Sequence, residues 1–281
     1  MTRAGWVTAA VVVAVVVVGA FLLFRPTGPD GAVYVALGDS YASGTGTSVG
    51  DEEENECRRS EEAHAHLLAE RAGLAGFAFP ACSGATTADL LAGQLEDIGE
   101  ATTLVTVTIG GNDVGFTRAL RVCALTPEST DCTGQLAEAK AIIAALPARV
   151  AEVVAAVRER APEARVFVTG YPLLLAQEVA DGTAACAIAT VDVPAALATA
   201  ANDINRSLNA AVAAGVEEAG DPGTVFVDVA PAFVGHDLCA AEPWINGVVL
   251  GGGSPRVTSF HLNAAGERAY AEAITAAGFG G

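Results

Sequence analysis

Five short runs rich in β-branched and aromatic residues, separated by longer alanine-rich stretches, most constrain the fold of this chain. The runs lie at 32–38, 76–80, 104–109, 165–169 and 224–229, and turn-forming residues bound them. Such runs are typical of buried strands, and the stretches between them of helices. Strands that alternate with helices pair in parallel, because each helix returns the chain to the same end of the sheet. The pattern predicts an α/β fold, a three-layer αβα sandwich with a mainly parallel five-stranded sheet.

Two of the helical stretches have well-defined signals. From Leu136 to Val157, apolar residues recur at alternating three- and four-residue steps, which predicts one helix with a single buried face. We expect Pro147 to kink this helix, because proline lacks a backbone N–H. Near the C-terminus, Asn263 is a good N-cap and predicts a last helix over 264–277.

The first 25 residues differ in composition from everything that follows. Positions 4–24 carry no charged residue, and a helix of this length spans roughly the 30 Å of a bilayer core. The length favours an uncleaved transmembrane anchor over 1–25, while the small residues at 18–20 suit signal peptidase and leave a cleaved signal as the alternative. A linker at 26–31 and one domain at 32–281 are expected to follow. In both cases the domain is predicted to be exported.

The cysteine content of the chain supports export to an oxidising compartment. The cysteines are even in number, include no C-x-x-C pair, and allow fifteen pairings in an oxidising compartment: Cys57, Cys82, Cys123, Cys132, Cys186 and Cys239. The net charge of the chain bears on its partners: with 33 acidic and 15 basic residues it is −18. A strongly negative protein surface repels nucleic acid and anionic lipid, so we expect no nucleic-acid partner.

Four short polar segments carry the chemistry. Ser40, Gly84 and Asn112 each follow one of the first three predicted strands, and His261 lies in a loop before the last predicted helix. Because the carboxyl ends of parallel strands share one sheet edge, these residues are expected to meet there. A serine, a histidine and donors for an oxyanion are the parts needed for acyl transfer. The sequence therefore predicts a hydrolase.

The same segments resemble the conserved blocks of a known family. They read Gly-Asp-Ser-Tyr-Ala-Ser-Gly at 38–44, Ser-Gly-Ala-Thr-Thr at 83–87, Ile-Gly-Gly-Asn-Asp at 109–113 and Ser-Phe-His-Leu-Asn at 259–263. In this order they are similar to the SGNH (GDSL) hydrolases. Cysteine-containing segments at 57–60, 81–85 and 235–239 narrow the resemblance to secreted actinobacterial esterases and lipases with three disulfides.

The resemblance implies a flavodoxin-like sheet and specific roles. Ser40 would be the nucleophile and His261 its base. The oxyanion donors would be the backbone N–H groups of Ser40 and Gly84 and the side-chain amide of Asn112. The implied disulfides are Cys57 with Cys82, Cys123 with Cys132, and Cys186 with Cys239.

One position departs from the family pattern. The family usually carries Asp three residues before its histidine, and this chain has Thr258 there. Because threonine cannot supply a carboxylate, we predict that the Thr258 carbonyl accepts from His261 Nδ1 and fixes the tautomer. Asp228, at the end of the fifth predicted strand, is a weaker candidate for that role, and a local strand-end function is favoured for it.

These residues predict an exported serine esterase or lipase that needs no cofactor and no metal. The substrate would be a small-molecule or lipid ester, the protein a monomer, and membrane contact would be made through the N-terminal segment. A cell-envelope deacetylase or phospholipase of the same fold is the first alternative. A non-catalytic, membrane-tethered binding domain is the second.

Overall fold

The computed structural model describes residues 33–47, 56–74, 76–126, 129–175, 184–188, 191–251 and 254–281. The strands in these ranges are β1 (Val33–Gly38), β2 (Gly76–Ala78), β3 (Thr102–Thr108), β4 (Arg165–Thr169), β5 (Ala184–Ile188), β6 (Val191–Pro194), β7 (Thr224–Val227), β8 (Leu250–Gly251) and β9 (Ser254–Pro255). Five form a parallel sheet in the order β2-β1-β3-β4-β7. This confirms the five predicted strands and their flavodoxin-like arrangement.

Helices cover both faces of the sheet. They are α1 (Ser40–Ser43), α2 (His64–Arg71), α3 (Thr87–Gly93), α4 (Phe116–Leu125), α5 (Thr130–Ile143), α6 (Leu146–Arg160), α7 (Ala195–Ala219) and α8 (Ala264–Ala276), with a 3₁₀ turn at Ala230–Phe233. Helix α2 packs against α8, and α6 packs against α3 and α7. The predicted three-layer αβα sandwich is confirmed.

The core lies on the central strands, whose side chains are buried on both faces. Tyr34 on β1 stacks on Phe77 of β2 and meets the edge of Phe279, which follows α8. Phe167 on β4 is fully buried and also contacts Phe279. Aromatic side chains therefore fix the last helix to the sheet, and the loop that precedes this helix carries His261.

The single kinked helix predicted over 136–157 is instead two helices. Helix α5 ends at Ile143 and α6 begins at Leu146, so the chain breaks before Pro147. Proline is well tolerated in the first turn of a helix, where its missing N–H would have no partner. By contrast, the predicted cap is present: Asn263 accepts from the N–H groups of Ala265 and Gly266 at the start of α8.

The predicted membrane segment over 1–25 and the linker at 26–31 lie outside the described residues. Within the described part of the chain, no helix is long and apolar enough to cross a membrane.

Candidate active site

The turn after β1 places Ser40 at the edge of the sheet. Gly38 adopts a φ of 134°, and a Cβ built there would stand 2.2 Å from the carbonyl oxygen of Thr108 on β3. Any side chain would force the two strands apart, so this position requires glycine. Asp39 then caps α1 by accepting from the Tyr41 N–H at 2.9 Å. Ser40 is thus the first residue of α1 and lies two residues after the end of β1.

His261 lies directly against this serine. The Ser40 Oγ and His261 Nε2 atoms are 2.7 Å apart, and the two residues are only 6% and 1% exposed. The Tyr41 hydroxyl donates to the Phe260 carbonyl at 2.7 Å, which ties α1 to the histidine loop. The sequence prediction that these residues meet at one edge is matched by a hydrogen-bonded Ser–His pair, the geometry of an activated nucleophile.

The carbonyl that orients the histidine differs from the one predicted. His261 Nδ1 lies 3.0 Å from the carbonyl oxygen of Ser259. The Thr258 carbonyl instead accepts from the His261 backbone N–H at 3.3 Å, which closes a turn. Within this turn Phe260 has a φ of 66°, and the chain reverses so that the Ser259 carbonyl faces the ring. The Thr258 carbonyl therefore does not accept from Nδ1 as predicted, and the carbonyls of Ser259 and Val257 act on the ring instead.

Asp228 does not take part in orienting the histidine. Its Oδ1 accepts from the N–H of Ala230 at 3.0 Å, at the start of the 3₁₀ turn. This is the local strand-end role that the sequence favoured.

The environment keeps His261 neutral. Burial lowers its pKa to about 4, and the hydrogen bond to the Ser259 carbonyl offsets part of that shift. The positive charges of Arg121 and Arg58 lower the pKa further. Because a base must be unprotonated before it accepts the serine proton, this histidine is ready to act throughout the neutral pH range.

The expected oxyanion donors lie around the same cleft. The Ser40 N–H is the first of its helix and so lacks an intrahelical acceptor. The Asn112 amide donates one N–H to the Ala85 carbonyl at 3.0 Å, which leaves its second N–H for another acceptor. Gly84 is exposed, and its N–H has no partner among the described residues. Ser40 and Asn112 line one cleft, and Gly84 directly precedes Ala85, whose carbonyl accepts from Asn112.

Tyr171, which sequence reasoning missed, connects the loop that carries Ser40 with the loop that carries Asn112. The Tyr171 hydroxyl donates to Asp39 Oδ2 at 2.6 Å and accepts from the Gly111 N–H at 3.0 Å. Asn209 on α7 holds the tyrosine backbone with two hydrogen bonds of 2.8 Å. Tyr171 follows β4, so the rule that located Ser40 and Asn112 at strand ends could also have located it.

The hydrogen bonds of Tyr171 also surround the buried carboxyl of Asp39. Burial raises the pKa of Asp39 to about 7, and its hydrogen bonds from the Tyr171 hydroxyl and the Tyr41 N–H oppose that shift. Asp113, after Asn112, instead accepts from both the N–H and the hydroxyl of Thr87 at the start of α3. These contacts attach the asparagine loop to two elements of the scaffold.

The cleft at Ser40 is narrow and adjoins a small apolar pocket. Leu120, Leu174 and Phe260 line both spaces and form the passage between them. Only apolar side chains and one half-cystine line the pocket, among them Leu136, Leu197 and Leu238. A lining of this kind favours contact with the hydrocarbon part of a ligand over contact with a polar group.

Two of the implied disulfides are present. Cys57 is bonded to Cys82, and Cys123 to Cys132. The first bond joins the segment before Arg58 to the loop that carries Gly84. The third implied pair includes the side chain of Cys186, which lies outside the described residues, and it stays a prediction.

Comparisons with known proteins agree with this geometry. A sequence model described as the GDSL-like Lipase/Acylhydrolase family matches residues 36–269. A lipase of Streptomyces rimosus is 40% identical over 236 residues, which cover 83% of this chain and 82% of that protein. Lipase 1 of Streptomyces coelicolor is 38% identical over 225 residues, covering 80% of this chain and 78% of that protein.

Two solved structures share the fold over nearly their whole length. The extracellular lipase of Streptomyces rimosus superposes with a TM-score of 0.75 at 36% identity and covers 88% of this chain and 99% of its own. Phospholipase A1 of Streptomyces albidoflavus also gives a TM-score of 0.75, at 34% identity, with 87% and 98% covered.

Proposed function

The chain belongs to the GDSL-like lipase/acylhydrolase family and is an ester hydrolase, and from this premise we propose that it is an exported lipase that cleaves fatty-acyl esters through Ser40. The observation that carries the proposal is the 2.7 Å contact between Ser40 Oγ and His261 Nε2 in a cleft that adjoins an apolar pocket. The contact supplies the nucleophile, and the apolar residues beside the cleft suit the acyl part of an ester.

Acylation starts with attack of Ser40 Oγ on the ester carbonyl while His261 Nε2 takes the hydroxyl proton. The developing oxyanion accepts hydrogen bonds from the Ser40 N–H, the Gly84 N–H and the free N–H of the Asn112 amide. The imidazolium is stabilised by the Ser259 carbonyl, which is 3.0 Å from Nδ1. It then donates its proton to the departing alcohol.

Deacylation repeats these steps with water. His261, neutral again, removes a proton from a water molecule that attacks the acyl-enzyme, and the same donors hold the second oxyanion. The Ser40 oxygen leaves with the proton that His261 returns. The cycle consumes water and needs no cofactor.

The residues beside the cleft support an apolar acyl group. Leu120, Leu174 and Phe260 line both the cleft and the apolar pocket next to it, so the first methylenes of an acyl chain would contact apolar side chains. Each methylene that is buried contributes about 0.8 kcal/mol. Together with the lipase relatives, this favours a lipase over a cell-envelope deacetylase, and the complete Ser–His pair disfavours a non-catalytic binding domain.

Export is supported by chemistry and by relatives. Disulfides such as Cys57–Cys82 and Cys123–Cys132 persist in oxidising compartments. The relative from Streptomyces rimosus is described as extracellular. Secretion after cleavage near 18–20 and retention by an uncleaved 1–25 segment are separated by N-terminal sequencing of the protein recovered from culture medium and from membranes.

The function is tested with p-nitrophenyl esters from acetate to palmitate, using disulfide-intact protein. We expect kcat/KM to rise with chain length beyond acetate, and Ser40→Ala to lose at least about 10⁴-fold of the rate. Ser207→Ala, an exposed serine on α7, is the matched control and should retain full activity. Equal rates in wild type and Ser40→Ala would overturn the proposal.

A further inference from the structure

A glutamine side chain from another element binds the backbone of Gly38, two residues before Ser40. The Gln94 Oε1 atom accepts from the Gly38 N–H at 2.8 Å, and Gln94 Nε2 donates to the Gly38 carbonyl at 2.9 Å. Gln94 is only 4% exposed. A buried carboxamide needs partners for both its oxygen and its nitrogen, and this one finds both on a single residue. The two bonds therefore attach Gln94 specifically to the turn that leads to the nucleophile.

Gln94 acts where β2 has ended beside β1. Strand β2 pairs with β1 only as far as Val35, whereas β3 pairs with β1 as far as Gly38. Cys82, in the loop after β2, also donates to the Gly38 carbonyl at 2.9 Å. Because a side-chain amide has the same donor and acceptor as a peptide group, Gln94 supplies hydrogen bonds that a longer β2 would otherwise provide. The last residue of β1 is thus held on both sides.

The same glutamine follows the helix that begins beside Gly84. Thr86 caps α3 through a capping box with Asp89, only two residues after Gly84. Gln94 directly follows α3, and its N–H donates to the Leu90 carbonyl at 2.9 Å. Helix α3 therefore connects the loop of one expected oxyanion donor to the turn of another. The distance between the Ser40 N–H and the Gly84 N–H depends on how the end of this helix is attached.

We propose that Gln94 is a positioning residue that sets the Ser40 and Gly84 N–H groups at the spacing that the oxyanion requires. This inference rests on the proposed ester hydrolysis at Ser40. Gln94 acts through the backbone of Gly38 and not through contact with the ester. The two N–H groups are used in the transition state more than in the ground state, so loss of their alignment should lower kcat with little change in KM.

The substitution Gln94→Glu tests this role, because its effect on kcat depends on pH. A protonated carboxyl accepts from the Gly38 N–H and donates to the Gly38 carbonyl, as the amide does, whereas an ionised carboxylate has no proton to donate. Burial raises the pKa of a carboxyl, so the introduced group should be protonated at pH 5 and ionised at pH 9. For p-nitrophenyl butyrate, we expect kcat within about threefold of wild type at pH 5 and about 10- to 100-fold lower at pH 9, with KM changed less than about threefold.

Rates are compared with wild type at the same pH, because other groups titrate in this range. Asp39, next to Gly38, has a pKa raised by burial to about 7, and the comparison at equal pH removes its effect on wild type. His261 is neutral at both pH values, since burial lowers its pKa to about 4. Gln135→Glu, at a half-buried glutamine on α5, is the matched control for an added carboxyl and should keep the wild-type kcat at both pH values.

The substitution Gln94→Met removes both hydrogen bonds at nearly constant length. We expect its kcat to be about 10- to 100-fold below wild type at pH 5 and at pH 9 alike. Near-UV circular dichroism at both pH values shows that the rates belong to folded protein. If Gln94→Met does not fold, Gln94→Glu still decides, because one protein is compared with itself at two pH values.

Three outcomes overturn the positioning role. They are a kcat of folded Gln94→Met within about twofold of wild type, a loss that appears only in KM, and equal relative rates of Gln94→Glu at pH 5 and pH 9. A glutamine that only stabilises the fold would give the first of these, with a lower unfolding midpoint in urea. If wild type cleaves the ester in a Ser40-dependent manner in these cases, only the role of Gln94 is wrong. If wild type cleaves no ester at all, the proposed function fails as well.

Discussion

Two halves of the active site differ in how completely their polar groups are hydrogen-bonded. In the catalytic half, Asp39, Ser40, Tyr171 and His261 are buried and each side chain has a hydrogen-bond partner within the protein. In the substrate half, the N–H of Gly84 and one N–H of the Asn112 amide have no partner among the described residues.

The difference separates chemistry from recognition. The Ser–His pair is assembled before substrate arrives, so little reorganisation is needed for proton transfer. The unpartnered donors await negative charge that only the substrate and its transition state bring. Asn112 belongs to both halves, because one of its amide N–H groups is bonded to Ala85 and the other is free.

The largest expected effect comes from removing that shared residue. Asn112→Ala should lower kcat about 10²- to 10³-fold with little change in KM, because the free amide N–H is used in the transition state. Asn263→Ala is the control: it removes an N-cap and should cost about 1 kcal/mol of stability with kcat unchanged. Steady-state kinetics and urea unfolding of both variants measure this. A loss seen only in KM would mean that Asn112 binds the ground state instead.

The second expected effect is in the pH profile. Because burial lowers the pKa of His261 to about 4, the base is neutral above that pH, and the loss of kcat/KM that comes from protonating the base should appear only as pH drops through about 4. A histidine with the ordinary pKa near 6.5 would already have lost about thirtyfold at pH 5. Asp39, whose pKa burial raises to about 7, transfers no proton in the reaction, so its titration should change kcat/KM far less than that. Rates between pH 3.5 and 8 give the acid limb, with near-UV circular dichroism as a check on folding. A thirtyfold loss at pH 5 would show that His261 is less buried than the structure implies.

Removing the tyrosine hydroxyl should have a smaller effect. In Tyr171→Phe, the Gly111 N–H loses its acceptor and Asp39 Oδ2 loses a donor, so the asparagine loop is held less well against the serine. We expect kcat to fall about tenfold at constant KM, since a displaced donor weakens transition-state contacts.

A second buried tyrosine separates positioning from stability. The Tyr34 hydroxyl is hydrogen-bonded to Thr106 inside the sheet, at 2.7 Å. Tyr34→Phe should cost a similar amount of stability, about 1 kcal/mol, with kcat unchanged. If the two variants lost activity equally, Tyr171 would be an ordinary core residue.

Much of the catalytic half could be predicted from sequence, and the reason is local. Strand runs are short and β-branched, and Ser40 and Asn112 follow them within a few residues, so the sheet edge brings them together. By contrast, the Asp39–Tyr171 contact joins residues 132 apart in the chain. No local pattern encodes which side chain a buried carboxyl will meet.

The wrong prediction for the carbonyl that faces His261 had a different cause. A substitution at Thr258 has the smallest effect that we predict. The family pattern drew attention to position 258, but the turn uses the Thr258 carbonyl to accept from the His261 N–H and turns the Ser259 carbonyl toward the ring. The Thr258 side chain is buried, and its hydroxyl has no hydrogen-bond partner within the described part of the chain. Thr258→Val keeps the shape and removes this unpaired group, so the rate should change less than about twofold while stability rises by about 1 kcal/mol. Steady-state kinetics measure the rate of Thr258→Val, and urea unfolding measures its stability. A rate loss above about tenfold would mean that the hydroxyl, and not the turn backbone, holds the histidine in place.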